Sequence, residues 1–261
     1  MSRPVDPALL AFANGLADTA GAILRRYFRR GVAVDDKPDL SPVTIADREA
    51  EAALRAAIEH EHPADGILGE EHGALRLDAR RVWVLDPIDG TKSFISGVPL
   101  FGTLIALVED GEPVLGVIDQ PISRERWLGA RGHASTLNGA AIRTRACPTL
   151  GAATLFATSP DMFPGADGIG FQRLKSAVKL ARFGADCYAY GLLAAGFVDL
   201  VVEASLKPYD FLAAVPVIEG AGGCITDWEG RRLGLGSGGR VVACGDPGLS
   251  AEARALLTAG V

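Results

Sequence analysis

Two aspartates spaced three residues apart are the strongest chemical feature of the chain. The apolar stretch Trp83-Val-Leu85 leads directly into Asp86 and Asp89, with Pro87 between them and a Gly-Thr pair after them. A strand end presents side chains at a fixed place and the proline stiffens the exit, so the two carboxylates can converge on one point. Carboxylates this close repel each other unless a cation or a shared proton relieves them, and Mg²⁺ takes oxygen ligands of this kind. The alternative is a plain turn, since Asp-Pro and Asp-Gly are both common turn dipeptides.

Three further acidic positions could join this pair, and each also has a purely structural interpretation. Glu70, in Gly69-Glu-Glu71, follows an apolar stretch and could belong to a solvated loop. Asp210 could be the N-cap of the helix that follows it. Asp47 stands three residues after Thr44, which is the spacing of a capping box at the start of a helix. The residues alone leave these alternatives open.

Taken together, three separated motifs resemble one family. Their order is that of the inositol monophosphatase superfamily of magnesium-dependent, lithium-sensitive phosphatases. The motifs are Gly69-Glu-Glu71, Asp86-Pro-Ile-Asp-Gly-Thr91, and Tyr209-Asp210 with Glu219-Gly-Ala-Gly-Gly223. The resemblance covers about residues 8 to 245. It implies an α/β fold of layered αβαβα sugar-phosphatase type. Tyr209 departs from the tryptophan that is usual before this aspartate, and Pro216 is expected to kink the helix that follows.

Within that superfamily the chain most resembles the histidinol-phosphate phosphatase branch. The strings that carry this likeness are Ser41-Pro-Val-Thr-Ile-Ala-Asp47, Lys92-Ser-Phe-Ile-Ser-Gly-Val-Pro99, Phe101-Gly-Thr-Leu-Ile105, Ala185-Asp-Cys-Tyr188 and Val202-Glu-Ala-Ser-Leu-Lys-Pro-Tyr-Asp210. The implied reaction is hydrolysis of L-histidinol phosphate to L-histidinol and phosphate. An inositol-1-phosphatase, or a broader sugar-phosphate or nucleotide phosphatase, would share the same metal site. A catalytically idle relative that only binds metal is disfavoured, because it would not need the water-orienting Thr91.

The resemblance implies two to three Mg²⁺ ions in the site. Glu70, Asp86 and the backbone carbonyl of Ile88 would hold the first ion. Asp86, Asp89 and Asp210 would hold the second, and a third would bind more weakly near Glu70.

The resemblance also implies how the substrate is bound and attacked. The implied catalytic residues are Asp47, Glu70 and Thr91; Thr91 with Asp47 would orient the attacking water, so that no phosphoenzyme forms. Gly90 and Thr91 would grip the phosphate with backbone N–H groups.

The other end of the substrate is expected to meet an acidic wall. Asp186 and Glu203 would face it, while Asp89 and Asp210 would contact the substrate beside the metal. Histidinol phosphate carries an ammonium and an imidazole, which suit such a wall. Alternatively, Asp186 caps a helix that begins at Tyr188, and Glu203 accepts the hydroxyls of inositol.

Hydrophobic periodicity predicts the elements that must position these residues. Two helices are expected first, over 6–30 and from Thr44 to about His60. Strands are expected at Val82–Leu85, Thr103–Val108, Val114–Ile118 and Arg126–Leu128, then near Thr154 and at Lys179–Phe183, Leu200–Val202 and Arg240–Ala243. Helices are expected at Phe171–Ala177, Tyr188–Gly196 and Phe211–Gly220. We expect one compact phosphatase unit over residues 1–261, with an N-terminal α+β part to about 145 and a C-terminal α/β part from about 146.

Composition limits the partners of the chain. Its 261 residues carry 26 Lys+Arg against 32 Asp+Glu, a formal charge of -6, which argues against nucleic acid or an anionic membrane and leaves a small phosphate ester as partner. No uninterrupted apolar run reaches the roughly 18 residues of a transmembrane helix. Four cysteines without a CxxC pair favour reduced thiols and a cytoplasmic protein. A homodimer is implied by the family only.

Three further features are set aside. Gly234-x-Gly236-x-x-Gly239 fits a dinucleotide fingerprint in spacing but precedes a strand, so a surface loop is expected. Cys187 has no histidine nearby in the sequence and is expected to be a small buried hydrophobe. His72 is expected to be an exposed loop residue.

Overall fold

The computed structural model describes residues 3–31, 33–36 and 42–259. Ser41, the first residue of one of the motifs above, lies outside the described residues. Chain order begins with helix α1 (Pro7–Tyr27), strands β1 (Val34–Asp36) and β2 (Pro42–Thr44), and helix α2 (Ile45–Glu61). Both helices therefore lie where the periodicity predicts them, and Thr44 is the N-cap of α2.

An eight-stranded sheet forms the centre of the first half. Its strands are β3 (Gly66–Gly69), β4 (Gly73–Leu75), β5 (Arg81–Asp89), β6 (Gly102–Glu109), β7 (Glu112–Gln120), β8 (Glu125–Ala130), β9 (Thr136–Leu137) and β10 (Ala140–Ala141), and the short helix α3 (Thr91–Ile95) follows β5. The order across the sheet is β10-β9-β8-β7-β6-β5-β3-β4. Only β3 and β5 run parallel; the other neighbours are antiparallel.

A five-stranded sheet forms the centre of the second half. Its strands are β11 (Thr154–Ala157), β12 (Leu180–Phe183), β13 (Leu200–Glu203), β14 (Cys224–Thr226) and β15 (Val241–Cys244), in the order β12-β11-β13-β15-β14. The helices are α4 (Ala166–Ala177), α5 (Tyr188–Ala194), α6 (Pro208–Phe211), α7 (Ala214–Gly220) and α8 (Ser250–Thr258), with 3₁₀ turns at Leu150–Ala152, Pro160–Met162 and Pro247–Leu249.

Alternation of apolar side chains along the strands produces the layers. Trp83 and Leu85 of β5 pack under α1 and α2, whereas Val82 and Val84 face α5 and α7 on the other side. The far face of the second sheet packs against α4 and α8. The predicted layered α/β fold is confirmed, in the order helices, sheet, helices, sheet, helices.

By length and composition alone, α1 is apolar enough to cross a membrane. The sequence contains no uninterrupted apolar run of this length. Helix α1 qualifies on its mean hydropathy, because an average tolerates a few polar residues. In the structure Ala13, Leu16 and Ala17 are buried against the first sheet, as in a core helix.

The helix expected over Phe211–Gly220 is divided in the structure. Turn residues Leu212 and Ala213 separate α6 from α7. Pro216 has no N–H, so the carbonyl of Leu212 loses its helical partner at this point. The expected disturbance takes the form of a break in the helix at Leu212–Ala213, just before α7, where this hydrogen bond is missing. Sequence periodicity missed the short strands β1 to β4, β9, β10 and β14 and the helix α8.

Candidate active site

A β-bulge brings Asp86 and Asp89 to the same side of the first sheet. Side chains three residues apart in a regular strand point to opposite faces. In β5 the register shifts, with Asp86 opposite Leu104 and Asp89 opposite Gly102, so that β5 has one residue more than β6. Pro87, which cannot donate a ladder hydrogen bond, lies inside this bulge. The strand does not stop before the aspartates as the sequence suggested; it continues through them to Asp89.

Asp210 reaches the same place from α6. Its Oδ2 accepts the backbone N–H of Lys207 at 2.7 Å, so Asp210 is the third residue of the helix and half of a capping box rather than the N-cap. One carboxylate oxygen from each of Asp86, Asp89 and Asp210 lies within 4.8 Å of the others. Three carboxylates that converge in this way could hold a metal ion.

Glu70 lies beside Asp86 because β3 and β5 are parallel neighbours, with Gly69 opposite Leu85. Residues 70–72 form a turn in which Glu70 and Glu71 are half-buried, so the segment is an anchored turn and not a freely solvated loop. Glu51 of α2 is fully buried, and its carboxylate accepts the backbone N–H groups of Glu71 at 2.6 Å and His72 at 3.0 Å. This anchor holds the segment against the sheet. The sequence reasoning missed Glu51, although a glutamate on the otherwise apolar side of a helix could have signalled it.

Burial and mutual repulsion favour the protonated forms of Asp86, Asp89 and Asp210. Burial and the charge of Glu70 raise the pKa of Asp86 well above its usual range, and a hydrogen bond links these two carboxyl groups. Burial and the charge of Asp186 raise the pKa of Asp89 in the same way. Burial, with the charge of Glu70 adding to it, raises the pKa of Asp210 to about 7. An all-oxygen donor set with excess negative charge fits a hard divalent cation.

Thr91, Ile88 and Asp47 occupy the edge of this cluster. The Thr91 hydroxyl donates to the Ile88 carbonyl at 3.1 Å, which leaves that oxygen a second lone pair. Asp47 forms the predicted capping box, since its Oδ2 accepts from the Thr44 N–H at 2.8 Å and from the Thr44 hydroxyl at 2.6 Å. Its Oδ1 is buried without a partner among the described residues. The described contacts contain no hydrogen bond between Asp47 and Thr91.

The two residues expected to form an acidic wall face the cleft with different partners. Glu203 is buried, and its two oxygens accept from the hydroxyls of Thr158 and Tyr190, the latter at 2.7 Å. Asp186 accepts from the Ser93 hydroxyl at 2.6 Å and does not cap α5 with its side chain. The interpretation of Asp186 as a helix cap is therefore wrong. Thr158, Tyr190 and Ser93 were not found from the sequence.

One cleft of about 300 Å³ brings the predicted site residues together. It is lined by Glu70, Asp86, Ile88, Asp89, Gly90, Thr91, Asp186, Glu203 and Asp210 among others, and Lys92 is the one basic residue among the described residues lining it. Asp47 is not part of this lining. Burial raises its pKa, and the charge of Glu70 raises it further.

The features that were set aside lie as expected. Cys187 is buried beside the cleft, and burial raises the pKa of its thiol. His72 is partly exposed and its ring lies 3.4 Å from Glu51. Gly234 and Gly236 line a separate cavity with Arg232 and Pro216.

Comparison with known proteins agrees with this fold and cleft. The sequence model of the inositol monophosphatase family matches residues 7–259. The chain is 52% identical over 252 residues to the bifunctional phosphatase IMPL2, chloroplastic, of Arabidopsis thaliana, covering 93% of this chain and 73% of that protein. It is 37% identical over 236 residues to the histidinol-phosphatase of Chlorobaculum parvum, covering 90% and 91%. A solved structure of an inositol monophosphatase from Zymomonas mobilis superimposes with a TM-score of 0.90 at 50% identity, covering 98% and 99% of the two chains.

The layered fold and its carboxylate-lined cleft define a hydrolase that acts on phosphate monoesters. The chain belongs to the inositol monophosphatase family, as its three motifs indicated.

Proposed function

We propose that this protein is a Mg²⁺-dependent phosphatase that hydrolyses L-histidinol phosphate. The observation that carries the proposal is a single cleft in which a cluster of three carboxylates stands next to a second acidic pair, Asp186 and Glu203. The three carboxylates would bind the phosphate through a metal ion. Asp186 and Glu203 would bind a positively charged leaving group. The relatives named histidinol-phosphatase support the same substrate.

Glu70, Asp86 and the Ile88 carbonyl would hold one Mg²⁺, and Asp86, Asp89 and Asp210 a second. The four carboxylates carry four negative charges, which two divalent cations balance, and a third ion near Glu70 would leave the site positive toward a phosphate dianion. When bound, Mg²⁺ supplies Lewis acidity that makes water more acidic and stabilises the charge on the leaving ester oxygen.

The protein's own groups would position the reactants. Asp47 has a buried acceptor, Oδ1, without a partner among the described residues, and a water that donates to it would be held beside Glu70. Thr91 would be the second contact of that water, and Gly90 and Thr91 would bind the phosphate oxygens. Water attacks phosphorus directly in this scheme and no covalent phosphoenzyme forms.

The acidic wall would select the leaving group. Asp186 and Glu203 would receive the ammonium and imidazole of histidinol, since a charge-assisted hydrogen bond is stronger than a neutral one. Asp89 and Asp210 would contact the substrate beside the metal, as acceptors for its N–H or O–H groups.

The second candidate is an inositol-1-phosphatase. The structural relative from Zymomonas mobilis is named an inositol monophosphatase at 50% identity, and Glu203 could accept from inositol hydroxyls. A phosphate-release screen of the purified protein against histidinol phosphate, inositol 1-phosphate, fructose 1,6-bisphosphate and adenosine 3′,5′-bisphosphate separates these candidates. A higher kcat/KM for inositol 1-phosphate than for histidinol phosphate would overturn the proposal.

The variant Asp186→Ala tests the wall itself. Loss of a charge-assisted hydrogen bond should lower kcat/KM for histidinol phosphate by about ten- to a hundredfold. Hydrolysis of p-nitrophenyl phosphate, which has no cationic group, should be nearly unchanged. Equal losses on both substrates would mean that the variant distorts the cleft, and no loss would place Asp186 outside the substrate site.

We further propose that the chain works as a single unit, as a homodimer and in the cytoplasm. The first point is supported by the apolar core that α5 and α7 form between the two sheets. The cytoplasmic assignment is supported by four free thiols. The homodimer rests on the family resemblance, and light scattering of the purified protein would test it.

A further inference from the structure

Ser93 connects the helix that follows the metal-binding strand to the acidic wall. Its hydroxyl donates to Asp186 Oδ2 at 2.6 Å, although the two residues are 93 positions apart in the chain. Ser93 lies in α3, two residues after Thr91. One short helix therefore bears the residues proposed to bind phosphate and the contact that holds Asp186.

Two backbone features place the Asp186 carboxylate against α3. Gly90 has a φ of +86°, and a Cβ at this position would lie 2.8 Å from Asp186 Oδ2, so the carboxylate occupies the space that a side chain would fill. Asp186 itself has a φ of +46°, in the left-handed region that few non-glycine residues adopt. The fold maintains this conformation against its steric cost.

One carboxylate oxygen of Asp186 has no hydrogen-bond donor among the described residues, whereas both oxygens of Glu203 have one. Both oxygens of Glu203 accept hydroxyl donors, from Thr158 and Tyr190. Asp186 uses Oδ2 for Ser93, and among the described residues no donor is bonded to its Oδ1. Lys92 is the cation whose charge acts on Asp186, but the described ion pairs include none between these two residues. Asp186 is thus the wall residue with the larger remaining capacity for a cationic donor.

We infer that Ser93 is a specificity-determining positioning residue, which holds Asp186 so that its second oxygen receives the ammonium group of an amino-alcohol phosphate. This inference rests on the proposed function and extends it to a substrate class. Because α3 bears both Thr91 and Ser93, one rigid element sets the spacing between phosphate and carboxylate. Because the Asp186 carboxylate lies against Gly90, which is proposed to bind phosphate, the two sites are close together. A short spacer between ester oxygen and nitrogen, as in histidinol phosphate or phosphoethanolamine, suits that proximity.

The test measures KM and kcat of Ser93→Ala and Ser93→Thr. For histidinol phosphate and phosphoethanolamine, S93A should raise KM about tenfold and leave kcat within about twofold, because the lost hydrogen bond only orients the carboxylate. For inositol 1-phosphate and p-nitrophenyl phosphate, both constants should stay within about twofold. S93T keeps the hydroxyl and should restore the wild-type KM. Ser96→Ala, on the exposed end of the same helix, is the matched control and should change nothing.

A double-mutant cycle separates positioning from a general effect on the cleft. In an Asp186→Ala background, S93A should have no further effect on any substrate. Additive losses, or equal losses of S93A on all four substrates, would overturn the inference. If S93A does not fold, Ser93→Cys, a nearly isosteric and weaker donor, is measured in the same way.

Activity of the wild-type protein on amino-alcohol phosphates distinguishes failure of the proposed substrate from failure of the role of Ser93. Wild-type protein that does not hydrolyse amino-alcohol phosphates would overturn the proposed substrate and this inference with it. Wild-type protein that hydrolyses them, with S93A unchanged, would overturn the role of Ser93 alone.

Discussion

Asp89 Oδ2 accepts the backbone N–H of Cys187 at 2.6 Å. The first N–H groups of a helix have no partner within the helix, and here α5 receives its partner from the bulged strand of the other sheet. A residue proposed as a metal ligand thus also joins the two halves of the molecule. Loading of the metal site and the position of α5, with Asp186 just before it, are therefore structurally connected.

Asp86→Asn should abolish phosphatase activity and leave the chain folded. Asp86 is the one carboxylate assigned to both tightly bound ions, and its Oδ1 accepts the Ile88 N–H at 3.0 Å, which an amide oxygen can still do. We expect kcat/KM to fall by more than about a hundredfold, since even indirect metal contacts are worth ten- to a hundredfold. Phosphate release at saturating Mg²⁺ and circular dichroism measure the two effects. Asp78→Asn, an exposed aspartate outside the cleft, is the control; near wild-type turnover of folded D86N would contradict the metal assignment.

The metal-free protein should lose thermal stability as the pH rises, and Mg²⁺ should restore it. Burial raises the pKa of Asp210 from 3.8 to about 7, so the folded state holds this proton more tightly than the unfolded state. That contribution is complete below the unfolded pKa and is lost as the pH rises through about 7. We expect Mg²⁺ to raise Tm by more at about pH 8 than at about pH 5.5, where protons compete for the carboxylates. Scanning fluorimetry with and without EDTA measures this, and an equal Mg²⁺ effect at both pH values would refute it.

Lithium at millimolar concentration should inhibit the enzyme by replacing a weakly held Mg²⁺ and trapping phosphate. The converging oxygens of Asp86, Asp89 and Asp210 offer a hard-oxygen site to a small cation. Initial rates measured against lithium, with potassium chloride as the ionic-strength control, would show it. Rates that stay constant in lithium while Mg²⁺ remains essential would indicate a different metal arrangement.

Gly90→Ala should reduce phosphatase activity as well as stability, whereas Gly111→Ala should reduce stability alone. Gly90 and Gly111 have almost the same φ, +86° and +84°, but a Cβ meets the Asp186 carboxylate at Gly90 and nothing within 4 Å at Gly111. Both variants should lose about 1–2 kcal/mol of stability from the left-handed conformation. Only G90A should also lose kcat/KM, because Asp186 and the start of α3 must shift. Equal activity of G90A and G111A would show that the contact has no functional role.

Cys224 should be the most reactive cysteine of the protein. It lies directly opposite Cys244 in the β14–β15 pair, and a hydrogen bond from the Cys244 thiol lowers the pKa of Cys224 to about 7. Since the thiolate is the nucleophile, alkylation should slow as the pH falls below about 7. The other three cysteines are buried and serve as internal controls. Peptide mass spectrometry after brief iodoacetamide treatment measures the order; earlier labelling of Cys147 would contradict it.

Local interactions could be predicted from the sequence by itself. The helices α1 and α2 follow from apolar spacing, the Thr44–Asp47 capping box from two residue types three apart, and the carboxylates of the cluster from short motifs. In each case the residues that decide the feature are near neighbours in the chain, so a pattern can record them. The break before Pro216 follows from the same kind of local chemistry.

Only the tertiary structure decided how those pieces meet. The extra residue in β5 that turns Asp86 and Asp89 to one side is defined by its register against β6, which periodicity does not contain. The contact of Ser93 with Asp186 and that of Asp89 with Cys187 join segments more than 90 residues apart. Such pairs depend on how two sheets stack around α5 and α7, because packing, and not sequence spacing, sets the distances between layers. For this reason the sequence identified the acidic residues, whereas the partners that orient them became visible in the fold.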